Sequence, residues 1–139
     1  MVNPRTKGQT GEREFARWMK LKLHLEHEPQ RCLEQVRFKG GGRIQQGMDL
    51  VGCPPFCVEV KRQEKLSLRS WWCQAVAATT PEYPHPVVAF RQNRGKWAIL
   101  ISARNIGLQN GFIRLEEIEA VKWMQRVLEL EALDPDPDS

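Results

Sequence analysis

Residues 47–62 contain two apolar runs interrupted by Gly52-Cys53-Pro54-Pro55-Phe56. Glycine and consecutive prolines cannot continue a strand interior, so this stretch forces the chain to reverse. The flanking runs, 47–51 and 57–62, read as two strands of a hairpin with a five-residue loop. Pairing Val51 with Cys57 sets Asp49 directly across from Glu59. Side-chain alternation then carries Lys61 onto the same face as Glu59.

Two carboxylates opposed in a hairpin repel unless something compensates. A divalent cation is the simplest compensation. Mg²⁺ in particular takes oxygen ligands, commonly one or two carboxylates with waters and substrate phosphate completing the shell. Asp49 and Glu59 supply such a pair. The Lys61 ammonium, two residues on, is placed to orient an attacking water or to offset charge developing on a phosphate.

The elements around the hairpin are legible from periodicity. Residues 1–9 read as a flexible basic arm, and Thr10 as the N-cap of a helix running to about Leu25. Trp18, Leu21 and Leu25, widened by Phe15 and Met19, form its core-facing stripe. Glu14 falls on that face, from which it can reach the carboxylate pair, whereas Glu12 points roughly the opposite way. Residues 33–38 read as a strand and 39–43 as a basic, glycine-rich loop. A second helix is expected over about 68–79, capped by Ser67 and ended by Pro81 and Pro84. The runs 86–90 and 97–101 form a second hairpin with a basic tip, and 115–132 a closing helix. Residues 133–139 form an acidic, disordered tail, leaving 10–132 as one domain.

The charge is uneven. Residues 1–69 carry 14 Lys and Arg against 8 acids, whereas residues 70–139 carry 7 against 9. A positive field over the first half favours a polyanionic partner, of which nucleic acid is the commonest. Lys39, Arg43, Arg62, Lys65, Arg69, Arg91, Arg94 and Lys96 are the candidate phosphate contacts. No apolar run reaches the length of a membrane span, and the start lacks the apolar core of a signal peptide, so a soluble, intracellular protein is expected. The four cysteines are then expected to be reduced. His24, His27, Cys53 and Cys57 do not have the spacing of a zinc site.

Asp49, then Glu59-Val60-Lys61, with a helical Glu14 upstream, resembles the PD-(D/E)XK nuclease superfamily, and its spacing and size are similar to phage-type Holliday-junction resolvases. Met48 stands where the motif has proline. The resemblance covers about residues 10–101. It implies an α/β, restriction-endonuclease-like αβββαβ core, with a mixed central sheet flanked by helices. It further implies Asp49, Glu59 and the Val60 carbonyl as metal ligands, with Glu14 contributing to the metal or its water. Lys61 takes the catalytic lysine role and Gln74, on the following helix, supports the site. The implied cofactor is Mg²⁺, with Mn²⁺ as substitute, and the implied setting is the cytoplasm of a bacterial or phage-infected cell. The expected activity is hydrolysis of branched DNA by a homodimer, with an exposed tryptophan of the 71–72 pair and the closing helix at the interface. Another DNA nuclease of the superfamily and a non-catalytic nucleic-acid-binding module are the alternatives, separated by DNA preference and by cleavage.

Overall fold

The computed structural model describes residues 4–32, 36–39, 43–92 and 95–133, with side chains from 8–32, 47–92 and 95–133. Its centre is β5 (Phe56–Lys61), flanked on one side by β4 (Leu50–Val51) and β1 (Gln30–Arg31) and on the other by β6 (His85–Phe90), β7 (Ala98–Ser102) and β8 (Phe112–Leu115). All neighbours in this six-stranded sheet are antiparallel except β5 and β6, which are parallel. A parallel pair needs a crossover, and α2 (Leu68–Ala78) supplies it. The order β1-β4-β5-β6-β7-β8 is therefore a mixed sheet, as expected. A separate hairpin, β2 (Val36–Lys39) with β3 (Arg43–Gln46), occupies the expected first strand and its basic loop.

Helices cover both faces. On one, α1 (Pro4–Leu23) and α3 (Glu117–Leu133) enclose Phe56, Val58, Val60, Val87, Ala89, Ile99 and Ile101. On the other, α2 lays Trp71, Trp72 and Ala75 over Val88, Phe90, Ala98 and Leu100. The central strands are consequently apolar on both sides, the pattern of a sheet sandwiched between helices. No helix is long and apolar enough to cross a membrane among the described residues.

Several elements differ from the sequence reading. Helix α1 begins at Pro4, so residues 4–9 are its opening turns and not an arm. Proline is well placed there, because the first helical turn has no intrahelical acceptor to lose. The helix stops at Leu23, where His24 takes a left-handed conformation (φ 55°). Its buried face is Phe15, Trp18, Met19 and Leu23, with Leu21 exposed. Trp71 and Trp72 are both buried, which removes an exposed tryptophan from the surface. Trp71 packs on Phe90 and Trp72 on Phe112, and the latter contact depends on β8, which the sequence reading passed over. In α3, Ala120 and Met124 are buried and Val121, Trp123, Val127 and Leu128 pack against the core, while Ile118 and Leu130 are exposed. Ser67 precedes α2 without a side-chain capping hydrogen bond. The acidic segment 134–139 and Arg94 lie outside the described residues.

Gly11 lets α1 approach β5 closely. A Cβ at this position would lie 3.2 Å from the Arg62 Cβ and 3.7 Å from the Val60 Cγ1, whereas one at Gly8 meets nothing within 4 Å. Gly8→Ala should therefore stabilise the protein by up to about 1 kcal/mol through helix propensity. Gly11→Val should cost about 1–3 kcal/mol by overpacking. Urea unfolding of the two variants checks both signs.

Candidate active site

The predicted hairpin register is the observed one. Leu50 pairs with Val58, which sets Asp49 opposite Glu59, and the Asp49 N–H donates to the Val58 carbonyl at 2.9 Å. Asp49 sits at the start of β4, where its Oδ2 accepts a 2.8 Å hydrogen bond from the Val60 N–H. Glu59 lies mid-strand in β5, on the face toward α2, between residues otherwise chosen for burial.

Burial is what makes the pair unusual. Glu59 is 1% exposed and Asp49 6%. Neither carboxylate oxygen of Glu59 meets a hydrogen-bond partner within normal geometry. Desolvation, reinforced by the charge of Asp49, pushes the Glu59 carboxyl up to about 9. Asp49 is also raised, chiefly by burial and further by the charge of Glu12, against the opposing hydrogen bond from Val60. Lys61 follows on β5 and donates from Nζ to the Gln74 Oε1 of α2 at 2.8 Å. The crossover helix and the β5 lysine are thereby joined beside the acids.

Of the two helical carboxylates, Glu12 is the one whose charge acts on this pair, while Glu14, named from the sequence, is engaged elsewhere. Glu12 is 8% exposed, its charge raises the pKa of both Asp49 and Glu59, and its Oε2 accepts from the Arg31 Nε at 2.5 Å. Glu14 instead joins α1 to the ends of β5 and β6. It pairs with Arg62 at 3.1 Å and with Arg91, whose guanidinium also lies over the Trp97 ring. Arg62 and Arg91, expected at phosphate, are thus engaged with Glu14.

The remaining basic candidates are dispersed. Lys65 and Arg69 are exposed before and at the start of α2, and Lys96 is exposed ahead of β7. Lys39 and Arg43 are register partners in the β2–β3 hairpin, with side chains outside the described residues. None of the four cysteines forms a disulfide; Cys73 is exposed and the others are buried.

The donor set fits a hard divalent cation. The buried oxygens of Glu59, with Asp49 beside them, would become anionic ligands once a cation displaced the proton that burial holds there. No group of three or more His, Cys, Asp or Glu side chains is gathered to hold a metal ion among the described residues. Two carboxylates completed by a main-chain carbonyl and waters match the ordinary coordination of Mg²⁺ better than an all-side-chain cage.

An αβ sandwich with a buried Asp–Glu pair and a strand lysine across one hairpin defines a nuclease of the PD-(D/E)XK type. A family model described as phage putative PDDEXK endonuclease matches residues 3–127, and the chain belongs to that family. No curated protein and no solved structure matches it. Nucleases of this superfamily generally use divalent metals.

The raised Glu59 carboxyl links stability to pH. Its folded value lies above the unfolded one, so the protonated form is favoured by folding. Its contribution is fully present below about 4.5 and is lost as pH rises toward about 9. The metal-free wild type should therefore lose thermal stability across that window, while Glu59→Gln should melt several degrees higher at pH 8 and show a flatter profile. Calorimetry of both proteins in chelator measures this.

A paired substitution separates the two helical acids. Glu12→Gln should weaken Mn²⁺ binding by roughly tenfold or more, the usual effect of losing an outer-sphere carboxylate. Glu14→Gln should leave that affinity unchanged and lower stability by about 1–3 kcal/mol, because two half-buried guanidiniums lose their counter-ion. Isothermal titration and denaturant unfolding give the two readouts.

Proposed function

We propose that the protein is a metal-dependent endodeoxyribonuclease that hydrolyses phosphodiester bonds and leaves nicks in branched DNA. The observation that carries the reading is the buried carboxyl of Glu59 directly opposite the buried carboxyl of Asp49, with Lys61 on the next outward position of the same strand. A folded protein retains such an arrangement at a stability cost that a bound cation would offset.

Asp49, Glu59 and the Val60 carbonyl would hold Mg²⁺, or Mn²⁺ in its place. The cation supplies Lewis acidity toward the scissile phosphate and lowers the pKa of a bound water. The Val60 N–H fixes the Asp49 carboxylate from the strand that also carries Glu59, so the two acids keep one relative position. Gln74 holds the Lys61 ammonium toward the acids, where it orients water and offsets negative charge on the phosphate. Glu12, tied to Arg31, adds negative potential and a hydrogen-bond acceptor for water at the rim. Hydrolysis then adds water across one P–O bond, with the leaving oxygen taking up a proton.

Branched DNA is preferred because the spacing of the acidic motif and the size of the chain resemble phage-type junction resolvases. Paired cuts on opposing strands call for two sites about a twofold axis, hence a homodimer. With both tryptophans of α2 buried, α3 is the remaining interface candidate.

Labelled four-way junction, matched linear duplex and single strand, each with Mg²⁺, Mn²⁺ or EDTA, test the reading. The expected outcome is metal-dependent nicking, fastest on the junction and reduced at least about 10²-fold in Asp49→Asn and Lys61→Ala. Equal cutting of all DNAs would retain the nuclease and remove the junction preference. Binding without cutting under every metal would leave a nucleic-acid-binding module.

A further inference from the structure

Helix α1 has a face that neither the core nor the acidic site uses. Arg13, Arg17 and Lys20 recur at i, i+4 and i+7, so they project as one stripe, and all three are exposed. At about 100° per residue this stripe lies opposite the buried face of Phe15, Trp18 and Met19. The two acids of the helix do not neutralise it, since Glu12 pairs with Arg31 and Glu14 with Arg62 and Arg91. Among the described residues no ion pair involves Arg13, Arg17 or Lys20.

The stripe continues into the acidic site. Arg13 lines an open cleft of about 400 Å³ whose other walls include His27, Glu28, Gln30 and Arg31. Arg31 on the far wall is the partner of Glu12, whose charge acts on Asp49 and Glu59. The positive stripe on the outer surface of α1 therefore borders a cleft that leads toward the carboxylate pair, with Glu28 and the Glu12–Arg31 pair on its other walls. By contrast, the exposed basic residues of α3, Lys122 and Arg126, are interspersed with Glu119, Glu129 and Glu131.

From this juxtaposition we infer that the Arg13–Arg17–Lys20 face of α1, beside the cleft that Arg13 lines, is the surface that binds the DNA backbone flanking the scissile phosphate. The partner chemistry is a run of regularly spaced phosphates with no base contact required. Arginine suits this role because its planar fork meets phosphate oxygens in pairs. Loss of such contacts weakens binding evenly across sequences and lessens its salt dependence. The assignment rests on the nuclease reading for the identity of the polyanion. It adds a surface outside all the basic positions singled out from the sequence.

The test compares Arg13→Ala/Arg17→Ala with Lys122→Ala/Arg126→Ala, which removes the same charge from α3. Binding of a labelled linear duplex is measured in EDTA by fluorescence anisotropy over a range of salt, so that no cleavage occurs. In the α1 pair, affinity should fall at least about tenfold and the log–log salt slope should decrease by roughly 2, about 0.9 per lost phosphate contact. The α3 pair should retain the wild-type slope. Circular dichroism verifies that both variants are folded, as expected for exposed substitutions. Equal effects of the two pairs would reduce the stripe to its share of net charge and overturn the inference, as would an unchanged slope in the α1 pair. Failure of the wild type to cut in Mg²⁺ or Mn²⁺ would remove the nuclease reading while a selective loss of slope still upheld the surface. Failure of the wild type to bind DNA would remove both.

Discussion

Burial of the Glu59 carboxyl beside Asp49 is the constraint around which the structure is organised. A carboxyl group in the centre of a two-sided sheet loses its hydration, and here its nearest polar neighbour is another buried carboxyl group. Asp49 adds a like charge, and Glu12 a further one from the helix. Apolar residues at these positions would pack without that repulsion. The surrounding fold bears the cost because β5 has neighbours on both sides and helices on both faces, so its position does not depend on Glu59 being comfortable.

Helix α1 adds a smaller contribution to the electrostatics of this centre, after burial and the Asp49–Glu59 contact. Gly11 permits close approach to Val60 and Arg62, and the Glu14 bridge to Arg62 and Arg91 fixes the helix at the ends of β5 and β6. Glu12, two residues before that bridge and one after the close contact, is consequently held in place with little freedom to turn away. Arg31 limits the repulsion that Glu12 adds. The same helix therefore serves as a mount for the centre and, through its outer face, as the approach to it.

The hairpin was legible because its determinants are local. Glycine and two prolines fix the reversal, and a period-two alternation then leaves one register that buries the apolar residues, bringing Asp49 opposite Glu59. The continuous apolar runs of the core strands β6 and β7, and the second helix, were legible from similarly local patterns. The choice between Glu12 and Glu14 was not local. Counting Leu21 and Leu25 in the apolar stripe turned the inferred face by about 60°, toward Glu14. In the structure Leu23 is buried and Leu21 exposed, so the core face turns toward Glu12, which is buried, and away from Glu14, which is half-buried. Their arginine partners separate them further. The burial of Trp72 was hidden for a related reason: its contact, Phe112, belongs to a four-residue edge strand between Gly111 and the closing helix.

Charge placement in this chain is more informative than net charge. The formal +4 is modest, yet the acids of α1 are each assigned to an arginine from another element, and that leaves its outer stripe positive. Pairing inside the fold thus creates unpaired charge outside it. If Arg31, Arg62 and Arg91 were the principal phosphate contacts, Glu12 and Glu14 would have to release them on binding, at the cost of leaving carboxylates unpaired near the DNA. Assigning the backbone to the free stripe avoids that exchange and keeps the Glu12–Arg31 and Glu14–Arg91 pairs intact while the acidic centre is approached.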